Sequence, residues 1–260
     1  MMKITTKIKK FHAELSNACG HQDTQLVRTL LETGENLQEP WTVDDYPVAI
    51  AVQSNNLELL AMLLEAGMPA YINTKLAIKR YGESHQDSLA FLWEPFCHQA
   101  IMYLLDNGAS VNSDSGENPP AWALAGLHDS KAGTESEEFF ERLVAGGVDV
   151  DAPWGEQQKL LHLISQGKNR YVPRLIALSK NVNVTGSEKF DTPLKAAVIA
   201  GSDLAVKALL ERGAIAKAYA WKGKSLLELA EHMKDYKKHL NLKGELDRIC
   251  ALLSSSSQAE

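Results

Sequence analysis

The sequence is poor in cysteine, and its three residues, Cys19, Cys97 and Cys250, stand far apart with no CxxC pair. Neither a disulfide framework nor a thiolate zinc site is expected, and a reducing compartment fits best. No apolar run approaches the ~18 residues of a membrane-spanning helix. The basic start, MMKITTKIKKFHAELSNACG, lacks the continuous apolar stretch of a signal peptide, so the expected location is cytoplasmic, with no membrane partner. Basic residues are in the minority, 27 against 33 acidic, for a net charge of -6. Lys3, Lys7, Lys9 and Lys10 are not continued by a Lys/Arg stripe, so a nucleic-acid partner is not expected. Low-complexity sequence is confined to SSSSQAE, and the tail 254–260 is read as disordered. What is present is a soluble globular composition, 260 residues of which 45% are hydrophobic, ample for a buried core.

Glycine and proline fall at measured places. In DTPLKAAVIAGSDLAVKALLERGAIAKA, Asp191 to Ala218, Thr192 can cap a helix whose first residue, Pro193, has no N–H to satisfy. Leu194, Ala197 and Val198 give that helix an apolar side, and Gly201 can end it in the left-handed conformation. Leu204, Ala208, Leu209 and Leu210 continue in helical register to Gly213. Two short antiparallel helices with one apolar seam are predicted. Such a pair cannot shelter its own apolar faces, a condition that favours stacked copies.

Copies exist. Thr192 precedes Gly213 by 21 residues, the interval that also joins Tyr46 to Gly67, Asp87 to Gly108 and Ala13 to Gly34. Two less regular copies start at Pro119, with GLHDSKAGTESE inserted between its helices, and at Lys159, which lacks a closing glycine. A last unit opens at Ser225, its second helix read as Leu242 to Leu253. The unit starts are therefore Ala13, Tyr46, Asp87, Pro119, Lys159, Thr192 and Ser225, and residues 1–260 are read as one domain.

Three of the steps are 33 residues. With Thr192-Pro193-Leu194 and Ala197, Leu161-His162, LLEAG at Leu63 to Gly67 and NGASVN at Asn107 to Asn112, the chain resembles the ankyrin repeat family. The resemblance spans nearly the whole chain and implies an all-α solenoid of about seven helix-turn-helix units, terminal caps included. The family's Pro and His are missing from most units, and the over-long steps place extra chain near YINTKLAIKRYGESHQ and GLHDSKAGTESE, expected as loops or an added helical turn. By that resemblance each repeat also supplies a hairpin-like finger, and fingers and first helices line a concave groove that binds other proteins.

The fingers are rich in aromatic residues: Trp41, Tyr71, Tyr81, Trp154, Phe190 and Trp221. Such rings either anchor a partner, through large rigid area with a polar handle, or fold back over the repeat seam. Asp44, Asp45, Asp114, Glu117 and Glu156, with Glu39, Asp149 and Asp151, make the earlier fingers acidic, whereas Lys222, with Lys217 and Lys224, makes the last one basic. Solvation alone explains exposed charge, but acids on adjacent fingers can also steer a basic partner. The aromatic set together with Asp44, Asp45, Asp114, Glu117, Glu156 and Lys222 is the expected partner-binding surface.

Chemistry finds little support. Gly223-Lys224-Ser225 ends like a phosphate loop, but the required earlier glycine is Ala218, so Ser225 is read as an N-cap. His232, Asp235 and His239 could share a helix face, yet Lys234, Lys237 and Lys238 surround the carboxylate and mark a solvated helix. His162 is read as a structural hydrogen-bonding residue, and Cys19 and Cys97 as small buried thiols. No catalytic residue, cofactor or metal is expected. The leading expectation is a non-enzymatic binder that grips another protein. The resemblance extends to irregular bacterial ankyrin proteins, some of which are antidotes to secreted toxins, so the narrower expectation is an immunity protein or inhibitor whose partner is a toxin or effector enzyme with a basic patch. The alternatives are a two-partner scaffold or adaptor and a small hydrolase using His128, Asp129 and Ser130 in the 126–137 loop.

Overall fold

The computed structural model describes residues 6–33, 37, 46–68, 98–112, 121, 124–125, 134–154, 158–186, 191–216, 223–236 and 243–256. The chain divides into two compact units, Met1–Ser113 and Asp114–Glu260. Twelve helices and one two-stranded hairpin occur among the described residues, and the class is all-α.

The first unit holds α1 (Thr6–Gly20), α2 (Thr24–Glu32), α3 (Pro47–Gln53), α4 (Leu57–Glu65) and α5 (His98–Asp106). First helices pack on first helices and second on second: α1 lies against α2 and α3, α3 against α4 and α5, and α2 and α5 against α4. Leu15, Val27, Val48, Ala51, Leu59, Leu60, Leu63 and Ala100 are fully buried in these seams. Helix α1 starts seven residues before Ala13. Lys7, Lys9 and Lys10 are good helix formers, and Phe11 joins Leu15 and Cys19 as one buried stripe at four-residue spacing, so burial extends the helix backward.

The second unit holds α6 (Thr134–Ala145), β1 (Pro153–Trp154), β2 (Gln158–Lys159), α7 (Leu160–Ile164), α8 (Tyr171–Ile176), α9 (Pro193–Ala200), α10 (Asp203–Glu211), α11 (Leu226–Tyr236) and α12 (Lys243–Ser256). Ala121, Leu124 and Ala125 are also helical and buried. One row runs α7, α9, α11 and another α8, α10, α12, each helix paired with its own partner. The TESE end of the inserted segment is the first turn of α6, with Ser136 buried, so the insertion is shorter than the 126–137 loop read from sequence. Residues 254–256, read as part of a disordered tail, continue α12, and the Ser254 hydroxyl donates to the Cys250 carbonyl at 2.8 Å.

The punctuation works as helix chemistry requires. The Thr192 hydroxyl accepts the Lys195 N–H at 3.2 Å, and Gly201 closes α9 at φ 73°, ψ 37°. Ser225 and Glu228 form a reciprocal capping box at the start of α11: the Glu228 carboxylate accepts the Ser225 N–H at 2.7 Å, and the Ser225 hydroxyl accepts the Glu228 N–H at 3.2 Å.

Candidate protein-binding surface

The described finger lies between α6 and α7. After Gly147 the chain turns at Asp149, whose carboxylate accepts the Asp151 N–H at 3.0 Å, then runs out along β1 and returns along β2. The strands are antiparallel, with Pro153 opposite Lys159 and Trp154 opposite Gln158. Lys159 then caps α7 through its backbone, and His162, fully buried, anchors that start: its Nδ1 accepts the Lys159 N–H at 3.1 Å. Burial lowers the His162 pKa, against the raising effects of the Lys159 and Asp191 backbone carbonyls and the Asp191 carboxylate. A neutral, buried imidazole locked to backbone is a structural member, as the sequence implied.

Neighbouring repeats hold the finger base. Asp151 accepts the Ser179 hydroxyl at 2.6 Å and the Lys180 N–H at 2.7 Å, both at the end of α8. Asn183, in the corresponding place one repeat on, donates to the Gly213 carbonyl at 3.0 Å and accepts the Ile215 N–H at 2.9 Å. The carboxylates of Asp149 and Asp151, counted in sequence among the free acidic charges of the fingers, are thus engaged in holding the scaffold.

Of the expected contact residues, the backbone of Trp154 is placed, at the end of β1. Trp41, Asp44, Asp45, Tyr71, Tyr81, Asp114, Glu117, Glu156, Phe190, Trp221 and Lys222 lie outside the described residues, as do His128, Asp129, Ser130, His239 and Cys97. Among the described residues no group of three His, Cys, Asp or Glu side chains could hold a metal, and no helix is long and apolar enough to cross a membrane. Burial pushes the Cys19 thiol up to about 12, which leaves it unreactive.

One cluster had no sequence signal. On the outer side of the second unit, Arg174 of α8 lies over the Phe140 ring at 3.8 Å and donates to Glu137 and, at 2.9 Å, to Glu141 of α6. Arg170 lies 5.1 Å from the centroid of Tyr171, which stacks on Phe140. The Arg174 guanidinium holds the Glu137 carboxyl below its ordinary range, with Arg170 adding to the effect. The cations meet their partners across 33 to 37 residues of chain, and helical periodicity within one element cannot reveal such a pairing.

The comparison with solved structures follows this geometry. The ankyrin repeat domain of human ASB11 matches 90% of this chain and 96% of its own at a TM-score of 0.56 and 20% identity. An ankyrin repeat domain from Acinetobacter baumannii AYE matches 82% of this chain and 99% of its own at a TM-score of 0.51 and 20% identity. The chain has the ankyrin-repeat fold. In ankyrin terms, α7, α9 and α11 are first helices, α8, α10 and α12 second helices, and β1-β2 a finger. No protein-family model and no curated protein sequence matches the chain.

Proposed function

We propose that this ankyrin-fold chain is a non-enzymatic binding module that holds another protein against its fingers and first helices. The supporting observation is the β1-β2 finger, mounted directly on α7 and tied at its base through Asp151 to the next repeat. A projecting hairpin with a fixed base presents side chains at little entropic cost on binding. The favoured partner carries a basic patch, because Asp44, Asp45, Asp114, Glu117 and Glu156 place acids on three of the fingers in the repeat register. The narrower form of this reading is an immunity protein or inhibitor, in which the captured partner is a toxin or effector enzyme and loses its activity.

The test is a triple Trp41, Trp154 and Trp221→Ala variant. The expected result is loss of the protein that co-purifies with the wild-type chain from its native host, with far-UV circular dichroism unchanged. Undiminished capture by the folded variant would remove the finger reading. Adding the purified wild-type chain to the captured protein and assaying that protein's activity then separates inhibition from simple binding.

A further inference from the structure

One imidazole joins the bases of two adjacent fingers. The residue three after the cap is Ala49 in α3, His162 in α7, Lys195 in α9 and Glu228 in α11, so among these described positions the imidazole stands at His162 alone. Its Nδ1 lies 3.1 Å from the Lys159 nitrogen and 3.2 Å from the Lys159 oxygen, so either backbone group can be its partner. In the neutral ring Nδ1 accepts the Lys159 N–H, which places the ring's own proton on Nε2. That Nε2 is buried and has no hydrogen-bond partner among the described residues.

Lys159 is where the β1-β2 finger returns to the helices. The Leu160 N–H bonds the Ala152 carbonyl at 2.9 Å. Successive N–H groups along a strand point to opposite sides, so the Lys159 N–H is turned away from β1 and toward His162. Across the seam, where α9 packs on α7, stands Asp191. Its carbonyl accepts the Gly186 N–H at 2.8 Å and so closes the lead-in of the next repeat. One of its carboxylate oxygens pairs with Lys195 at 3.1 Å, and the other is buried with no hydrogen-bond partner among the described residues. A buried donor and a buried acceptor thus lie unmatched on the two sides of one seam.

The charges that act on the ring oppose each other. The Asp191 carboxylate favours protonation and the Lys159 ammonium disfavours it, while Lys195 of α9 is paired with Asp191. The ionisable groups of α8, Tyr171 and Arg174, are engaged with Phe140 and Glu137 of α6.

We propose that His162 is a proton-operated latch between these two finger bases. A proton from solvent goes to Nδ1, which then no longer accepts: the ring releases the Lys159 N–H, donates to the Lys159 carbonyl and, as a cation, draws its Nε2–H toward the Asp191 carboxylate. Acid therefore frees the backbone at the root of the β1-β2 finger and engages the seam to the next repeat instead. The latch goes beyond the binding reading, and its test needs no partner, so its failure leaves the triple-tryptophan experiment unaffected.

The full chain, labelled with ¹⁵N, is followed by NMR from about pH 7.5 to about pH 5. At the upper end the ring nitrogens should report a proton on Nε2 and none on Nδ1. On acidification the Lys159 and Gly186 amides should shift along one curve with the His162 ring, with a midpoint below 6.5, while the amides of α12 stay in place. Hydrogen exchange at the Lys159 amide, corrected for its intrinsic pH dependence, should lose protection by about fivefold to tenfold, the loss expected for one hydrogen bond. His162→Asn should abolish the shared curve. Asp191→Asn, which removes the carboxylate that favours the proton, should move the midpoint to lower pH and supplies the test if His162→Asn does not fold. A neutral ring protonated on Nδ1, Lys159 and Gly186 amides that do not follow the ring, or all amides moving together would overturn the proposal. So would the same curve persisting in folded His162→Asn, or a midpoint unchanged in folded Asp191→Asn.

Discussion

The fifth and sixth repeats end their second helices differently. After α10, Gly213 adopts φ 81°, its N–H bonds the Leu210 carbonyl, and the next N–H, of Ala214, returns to Leu209. The same pair of bonds closes α4 at Gly67, α5 at Gly108 and α6 at Gly147. The fifth repeat has Ser179 in that place, with a negative φ. Its N–H still bonds Ile176, but the second bond is replaced: the Lys180 N–H goes to the Asp151 carboxylate of the preceding finger. The Ser179 carbonyl accepts from Arg212 at 2.5 Å, a second tie from the following repeat. A local glycine signal and a pair of non-local side chains thus accomplish the same closure. The first can be read along the chain and the second cannot.

The fifth repeat also uses a glycine for space rather than conformation. A Cβ on Gly167 would lie 2.2 Å from the Ala125 carbonyl oxygen and 2.7 Å from Val172 Cγ2, whereas one on Gly213 would meet nothing within 4 Å. Gly167→Ala should therefore have the largest effect of the changes considered, a loss of about 3 kcal/mol in urea unfolding, from overpacking against backbone that cannot yield. Gly167→Ala stability within about 0.5 kcal/mol of wild type would show that the fourth and fifth repeats do not approach as closely as drawn. Next comes Asp151→Ala, which leaves the Ser179 hydroxyl and the Lys180 N–H without their acceptor and should cost about 2 kcal/mol. Gly213→Ala, which strains one residue at positive φ, should cost about 1 kcal/mol. A reversed order for these two would mean that Asp151 is not the substitute for a closing glycine.

The smallest expected effect concerns equivalent positions in the two first helices. His162 follows the Lys159 cap by three residues, and Lys195 follows the Thr192 cap by three. Lys195, 2% exposed, is paired with Asp191 at 3.1 Å, whereas His162 is held neutral by burial. Because folding lowers the His162 pKa below its ordinary 6.5, the unfolded chain binds the proton more readily. Its contribution to stability is complete above pH 6.5 and is lost as pH falls from there toward the depressed folded value, at no more than about 1.4 kcal/mol per pH unit. Thermal melts from pH 7.5 to 5.5 should show a drop that His162→Asn reduces. An equal drop in that variant would place the titration elsewhere.

Much of the fold was legible because its signals are local. Thr192, Pro193 and Gly201 punctuate α9, Ser225 starts α11, and the 21-residue interval marks the outer-helix ends, since caps and left-handed glycines act within one turn of backbone. The starts of α1 and α6 were misjudged because burial of Phe11, Leu15 and Ser136 against other elements decided them. The candidate surface was less legible. Asp149 and Asp151 looked like free charge, and nothing in their spacing announces acceptors for their own turn and for Ser179, 28 residues away.

By itself, then, the sequence determined that helices come in pairs, where most of them stop, and that no pair could stand alone, because capping, glycine conformation and apolar periodicity are properties of short stretches of chain. Tertiary structure alone decided which carboxylates are engaged and which glycine is needed for space. Those outcomes depend on what lies opposite a residue across a seam, and the neighbour that decides them is about one repeat away in sequence.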